Sequence, residues 1–201
     1  MTATPEDIER AAAAALRGEL IVIPTDTVYG VGTRPDDPDA TARIFAAKQR
    51  PRDLELPVLV PDIAGAGGIA LLSNDARRLA ERFWPGPLTL VVPRSPASAG
   101  WDLGGNPDTV GVRVPKDPTA LAVLRRTGPL AVTSANISGR PTPSSCEEIS
   151  ALFGAALAVT LCADHELSGA ASTVVDCTSR PEILRAGAIT AADLEADLPG
   201  E

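Results

Sequence analysis

Leu20-Ile21-Val22-Ile23-Pro24-Thr25-Asp26-Thr27-Val28-Tyr29-Gly30-Val31-Gly32 runs four apolar residues into a proline, then into two threonine hydroxyls, a carboxylate and two glycines. Four apolar residues closed by proline are long enough for a strand and too short for a helix. The loop that follows has the donors and acceptors of a ligand site, and its glycines permit close backbone approach. Without a ligand it reads as a loop punctuated by proline and glycine.

Working outward, Thr4 before Pro5 has the form of an N-cap followed by proline at the first helical position, which predicts a helix over 5–17 stopped by Gly18. Asp37-Pro38 opens a second helix, with Ala42, Phe45 and Ala46 at i, i+3 and i+4. It should end near Lys48, because Pro51 disfavours helix just before it. Further strands are predicted at 56–60, 88–92, 110–114, 130–133, 156–161 and 173–176, with a shorter one at 182–184. Helices open at Ser73 and at Asp117-Pro118; Ser145 and Glu148 make a capping box; Thr190 caps a last acidic helix; residues 93–108 form a loop. Short strands alternating with helices argue for an α/β protein, and the nearly adjacent late strands argue for a mixed, twisted sheet with flanking helices.

With 201 residues and 44% hydrophobic content, one domain spanning 1–201 with a short C-terminal helical tail is expected. The net charge of −8 gives an averaged field that repels polyanions, so a phosphate site must be a local basic pocket and stable binding to nucleic acid is not expected. No apolar run approaches the ~20 residues that span a bilayer. The alanine run 11–15 follows Glu6, Asp7, Glu9 and Arg10 without a cleavage site, so we read a cytoplasmic protein without membrane association. Cys146, Cys162 and Cys177 are odd in number and lack CxxC spacing, so neither a disulfide nor a zinc site is expected.

Several catalytic schemes drop out early. His165 is the single histidine, too few for a multi-histidine metal site, and it lies in a loop-like segment that favours a satisfied or solvent-facing role. Neither GxxxxGK[ST] nor GxGxxG after a strand occurs, so a nucleotide site would be built differently. What remains is a set of polar clusters at strand ends, where α/β sheets tend to bind ligands. Lys48-Gln49-Arg50-Pro51-Arg52 places three cations in five residues, and Lys48 is one of only two lysines. Such a segment can clasp phosphates, or can simply complement a helix C-terminus. Alternation along 109–115 sends Thr109, Gly111 and Arg113 to one strand face, an arrangement suited to a ligand carboxylate or phosphate. Thr133-Ser134-Ala135-Asn136-Ile137-Ser138-Gly139-Arg140-Pro141 follows another strand, and Ser172 to Asp176 pairs with Ile183 to Gly187.

Together and in this order these clusters resemble the threonylcarbamoyl-AMP synthase family, the YrdC- or TsaC-type proteins, over about 18–189. The first loop, the Lys-x-Arg-Pro segment and Ser134-Ala135-Asn136-Ile137-Ser138-Gly139 carry most of the resemblance, and Phe83-Trp84-Pro85-Gly86 matches a family turn. The resemblance implies a sheet wrapped around a deep, basic cavity. It implies Lys48, Arg50, Ser134 and Asn136 as a catalytic tetrad around nucleotide phosphates, with Arg50, Thr109, Ser134, Thr142 and Arg185 on ATP and Thr27, Arg113 and Ser172 on L-threonine. The implied reaction joins L-threonine, bicarbonate and ATP into threonylcarbamoyl-AMP and pyrophosphate, with Mg²⁺ held by phosphates and water rather than by side chains. The product would pass to a tRNA threonylcarbamoyl-transferase complex for N6-threonylcarbamoyladenosine synthesis. Glu55 stands where many members have proline, Leu59 where long archaeal-type members have a substrate histidine, and Ala186 where proline often follows the arginine. With little chain beyond Ile189, the short single-domain form is expected. The alternative is a nucleotide- or RNA-binding protein of the same fold without synthase activity, against which the negative charge and 3% aromatic content argue.

Overall fold

The Thr4 hydroxyl accepts from the Asp7 amide and the Asp7 carboxylate answers to Thr4, closing a capping box at the start of α1 (Pro5–Leu16). The computed structural model describes residues 3–195. After α1 come β1 (Leu20–Ile23), β2 (Gly30–Thr33), α2 (Pro38–Lys48), β3 (Val58–Leu59), α3 (Ile63–Ile69) and α4 (Asn74–Phe83). These are followed by β4 (Leu88–Pro93), β5 (Thr109–Arg113), α5 (Pro118–Thr127), β6 (Leu130–Ser134), α6 (Cys146–Phe153), β7 (Leu157–Thr160), β8 (Thr173–Asp176), β9 (Glu182–Arg185) and α7 (Ala191–Glu195). The strands form one mixed sheet in the order β7-β1-β2-β6-β3-β5-β4-β8-β9. Three pairings are parallel, β1 with β7, β3 with β5 and β4 with β8.

The mixed sheet expected from the strand spacing is therefore present, and β1 shows why its sequence is apolar throughout. Leu20 and Val22 enter the larger core with Val31, Phe45 and Val112, while Ile21 and Ile23 pack with Ala11, Ala15, Leu124 and Val132 beneath α1 and α5. All four are fully buried because the strand is covered on both faces. Each such side chain contributes about 1.5–3 kcal/mol of burial.

Two elements had no sequence signal. Gly30-Val31-Gly32-Thr33 reads as loop, yet it pairs with both β1 and β6. A Cβ on Gly32 would lie 2.6 Å from Val132 Cγ2 and 2.8 Å from the Ala131 carbonyl, so bare backbone is what allows β2 to sit there. The helix α3 contains three glycines and has poor propensity. Its Asp62 cap and the burial of Ala66 and Ile69 hold it. The strand expected at 56–60 pairs only over β3, and the 56–57 stretch bonds elsewhere, Leu56 N–H to the Leu103 carbonyl.

Two expectations are corrected. Ser145 accepts from the Glu148 amide, but Glu148 Oε2 takes the Ser144 amide, one residue too early for a reciprocal box. Cys146 and Cys162 form a disulfide. Parity and CxxC spacing say nothing about distance in space, and here the start of α6 and the chain just past β7 bring the two Cα atoms to 5.9 Å, within the usual span of a disulfide. Cys177 is free and buried, its thiol pushed up to about 12 by burial. No helix among the described residues is long and apolar enough to cross a membrane.

Candidate active site

Alternate residues of the central strands line a cavity of about 450 Å³: Thr89 and Val91 of β4, Gly111 and Arg113 of β5, Val132 and Ser134 of β6. The period of two along each strand gives one sheet face to this space and the other to the core, where Leu90, Val92, Val110 and Val112 lie. Thr25, Thr27 and Gly30 from the first polar loop, Arg50 and Glu55 from the segment after α2, and Ser172 and Arg185 from the β8–β9 region close the walls.

At one end, Arg113 is almost wholly buried and all its guanidinium nitrogens are engaged. Nε donates to the Gly86 carbonyl at 3.0 Å, Nη1 to Thr27 Oγ1 at 3.0 Å and Nη2 to Asp26 Oδ1 at 2.7 Å. Burial pulls the guanidinium pKa down and the Asp26 carboxylate opposes that pull. The Trp84-Pro85-Gly86 turn thus serves the site by presenting a carbonyl to Arg113. Thr27 Oγ1 also bonds Thr25 Oγ1 at 2.9 Å, and its own carbonyl receives the Gly169 amide, so the threonine loop is braced from two sides.

Arg185 donates through Nη2 to the Ser172 carbonyl at 2.9 Å and to Ser172 Oγ at 3.1 Å, and Ser172 Oγ meets Thr89 Oγ1 at 2.9 Å. Arg50 curls over its own segment, donating to the carbonyls of Leu54 and Glu55 at 3.1 and 2.8 Å. Burial lowers the pKa of Arg50, and the nearby Arg185 lowers it further. Two cations that oppose each other across one cavity are relieved by an anion between them.

Lys48 is 1% exposed and does not line the cavity. Its ammonium donates to the carbonyls of Ser134 and Asn136 and to Asn136 Oδ1, while Ser134 Oγ donates to the same Oδ1 at 2.6 Å. Burial first, and Arg50 second, bring Lys48 from the ordinary 10.5 to about 8, whereas three oxygens around Nζ favour the charged form. The structure therefore gathers Lys48, Ser134 and Asn136, but only Ser134 of these joins Arg50 in the cavity wall. Asn136 spends its amide on the carbonyls of Ile137 and Arg140. Thr109 starts β5 and is not among the lining residues, and its carbonyl takes Arg94 Nε. Thr142 lies in a separate surface groove of about 370 Å³ with Arg140 and Glu148. His165 lies 3.3 Å from the buried Asp117 carboxylate, outside the cavity.

Sequence reading missed Thr89 and treated Glu55 only as a departure. Thr89 had a signal, since it shares a face with Val91 on a strand that begins just after a Pro-Gly-Pro turn. Glu55 had none, because nothing in its own neighbourhood says that it faces a cavity.

A cationic, hydroxyl-rich pocket on one face of a mixed sheet defines an α/β protein built to hold an anionic ligand. The profile described as Telomere recombination, for Sua5, YciO and YrdC proteins, matches residues 13–187. A Mycobacterium tuberculosis protein is 42% identical over 194 residues, spanning 94% of this chain and 89% of its own. The threonylcarbamoyl-AMP synthase of Bacillus subtilis is 36% identical over 94% of this chain and 56% of its own. Among solved structures, Pyrococcus abyssi Sua5 complexed with L-threonine superposes with a TM-score of 0.85 at 36% identity, covering 94% of this chain and 56% of that one. The chain belongs to the Sua5/YciO/YrdC family. It spans just over half the length of the Bacillus and Pyrococcus proteins.

Proposed function

We propose that this protein is an L-threonylcarbamoyl-adenylate synthase, a nucleotidyltransferase acting in the cytoplasm on the route to N6-threonylcarbamoyladenosine in tRNA. The observation that carries the reading is the cavity itself, in which Arg50, Arg113 and Arg185 stand with the hydroxyls of Thr27, Ser134 and Ser172. Relatives named for this activity, and one solved with L-threonine, support it.

The amine of L-threonine and bicarbonate combine to a carbamate with loss of water. A carbamate oxygen then attacks the α-phosphorus of ATP, and pyrophosphate leaves with the electron pair of the broken P–O bond. The protein's part is to position reactants and neutralise charge rather than to supply an acid or base. Arg50 and Arg185 draw the phosphates between them, with Ser134 Oγ in the adjoining wall. Arg113 and Thr27 receive threonine, and Ser172, held between Thr89 and Arg185, stands where the two substrates meet.

No three His, Cys, Asp or Glu side chains converge as a metal cage among the described residues. We take Mg²⁺ to be carried mainly by the nucleotide phosphates and water, which is its common habit. Mg²⁺ would supply charge neutralisation on those phosphates. The adenylate would pass to a tRNA threonylcarbamoyl-transferase complex, without stable binding of nucleic acid by this chain.

The test is release of pyrophosphate from Mg-ATP with L-threonine and bicarbonate supplied together or singly. Release that requires both supports the reading; equal release when either is withheld sinks it. Nucleotide binding without any such release would favour a binding protein of the same fold.

A further inference from the structure

Glu55 is the one acidic side chain among the residues that line the cavity, whose charged partners there are Arg50, Arg113 and Arg185. Its backbone is clamped: the Glu55 carbonyl accepts from Arg50, the Leu56 amide bonds the Leu103 carbonyl, and Gly105 presses so closely that a Cβ there would lie 2.7 Å from Glu55 Cβ. Its carboxyl is steered by Arg94, 3.9 Å away, a contact too long for a hydrogen bond. Arg94 is itself 3% exposed; its Nε and Nη1 donate to the carbonyls of Thr109, Trp101 and Ser98, and Nη2 is the nitrogen that faces Glu55. Glu55 Oε1 is left buried with no hydrogen-bond partner, while the side chain keeps 19% exposure on the cavity side. An ionised carboxylate has about four acceptor sites, so most of this group's capacity is unused.

Position along the sheet indicates which part of a ligand would meet it. Leu59 lies opposite Arg113 and Val58 opposite Val112 in a parallel pair, and Pro57 abuts Gly111. Glu55 precedes β3 and lies outside that register, but its carboxyl meets the Gly111 amide, two residues or about 7 Å back along β5 from Arg113 at ~3.3 Å per residue. On the reading above, threonine occupies the Arg113 end and phosphates lie by Arg50, Arg185 and Ser134. A carboxylate repels phosphate, so the uncharged nucleoside is the part of ATP that can rest against Glu55.

We propose that Glu55 is a nucleotide-specificity residue of this chain, whose carboxyl accepts a hydrogen bond from an N–H or O–H donor on the base or ribose of ATP. Burial keeps the carboxyl at about 7, against the pull of Arg94 and the Gly111 amide, so near neutrality the group can be recruited as an acceptor at modest cost.

The proposal rests on ATP being the substrate, and its test separates the two. Calorimetric titrations of wild type, Glu55→Ala and Glu55→Asp would use ATP, 2′-deoxyATP, 3′-deoxyATP and inosine triphosphate; the deoxy analogues report the ribose and inosine the exocyclic amine. In the wild type at least one analogue should bind tenfold or more weakly than ATP. Both variants should shrink that gap to threefold or less while binding the analogue as the wild type does. Equal affinities for all four nucleotides in the wild type overturn the proposal, a result independent of how the variants fold. So does an unchanged ranking in folded variants, or a loss of L-threonine affinity with nucleotide discrimination intact. A wild type that binds no ATP instead refutes the synthase reading, and the proposal falls with it.

Discussion

The Lys48 ammonium donates to the Ser134 carbonyl at 2.5 Å and to the Asn136 carbonyl at 2.6 Å, joining the end of α2 to the turn after β6. The Lys48 carbonyl in turn accepts from the Ser138 amide at 2.9 Å. One buried lysine thus shapes the loop that presents Ser134 to the cavity, and acts from behind the wall.

Lys48→Met keeps the volume and removes the charge, leaving the Asn136 carbonyl without a donor, while the Ser134 carbonyl keeps the Asn136 amide and Asn136 Oδ1 keeps the Ser134 hydroxyl. We expect pyrophosphate release to fall ~100-fold, comparable with loss of a preorganised charge stabiliser, together with a loss of about 1–3 kcal/mol in stability. Kinetics with thermal unfolding checks both; wild-type turnover in a folded variant would remove Lys48 from the machinery.

The same residue predicts an alkaline limb. Lys48 loses its proton near 8 in the folded protein and near 10.5 when unfolded, so across that window the unfolded chain binds more protons. The cost of burying the ammonium is present below about 8 and relieved as pH rises to 10.5, so stability gains from this group while the turn loses its charged clamp. Turnover should therefore drop above pH 8 without unfolding, and Lys48→Met should lack that step in a pH–rate profile.

Arg113→Lys preserves charge but cannot reach Gly86, Thr27 and Asp26 at once with a planar fork. Threonine affinity should fall tenfold or more, with ATP affinity changed less than threefold. Asp26→Asn should act in the same direction by releasing Arg113. Calorimetry with both ligands decides, and equal losses for the two would mean that Arg113 serves the nucleotide.

Gly32→Ala should destabilise the fold by about 1–3 kcal/mol, the usual cost of overpacking, because the new methyl meets Val132 and the Ala131 carbonyl. Gly67→Ala, within α3, has open space around its Cβ and no positive φ, so it should be neutral or stabilising by up to about 1 kcal/mol. Denaturant midpoints of the two variants check the order.

The disulfide between Cys146 and Cys162 closes 16 residues of sequence separation, for which chain entropy gives about 3 kcal/mol. A thiol reductant should lower the thermal midpoint of the wild type and leave Cys146→Ser/Cys162→Ser unmoved. Identical midpoints for all three would show that the bridge contributes nothing.

Much of this fold is local, and that part was legible. The Thr4 and Asp37 caps, the prolines at helix starts and the apolar run of β1 act within a few residues, so their outcome is written in the chain itself. The cationic segment at Arg50 and the hydroxyl run at Ser134 were visible for the same reason, as clusters contiguous in sequence. Glycine in β2 misled because its meaning depends on Val132, a hundred residues away.

From the amino-acid order alone came the α/β class, the mixed sheet and most of the polar clusters, since periodicity and capping are short-range physics. Which members of a cluster face the ligand depended on burial and on partners distant in sequence. Lys48 and Asn136 turned inward to satisfy each other and the Ser134 turn, Thr142 went to another groove, and Glu55 came to the cavity wall beside Arg94. Cys146 and Cys162 found each other only because α6 and β7 pack together. Those pairings are long-range contacts, and a one-dimensional pattern carries no information about which distant atoms will compete for the same donor.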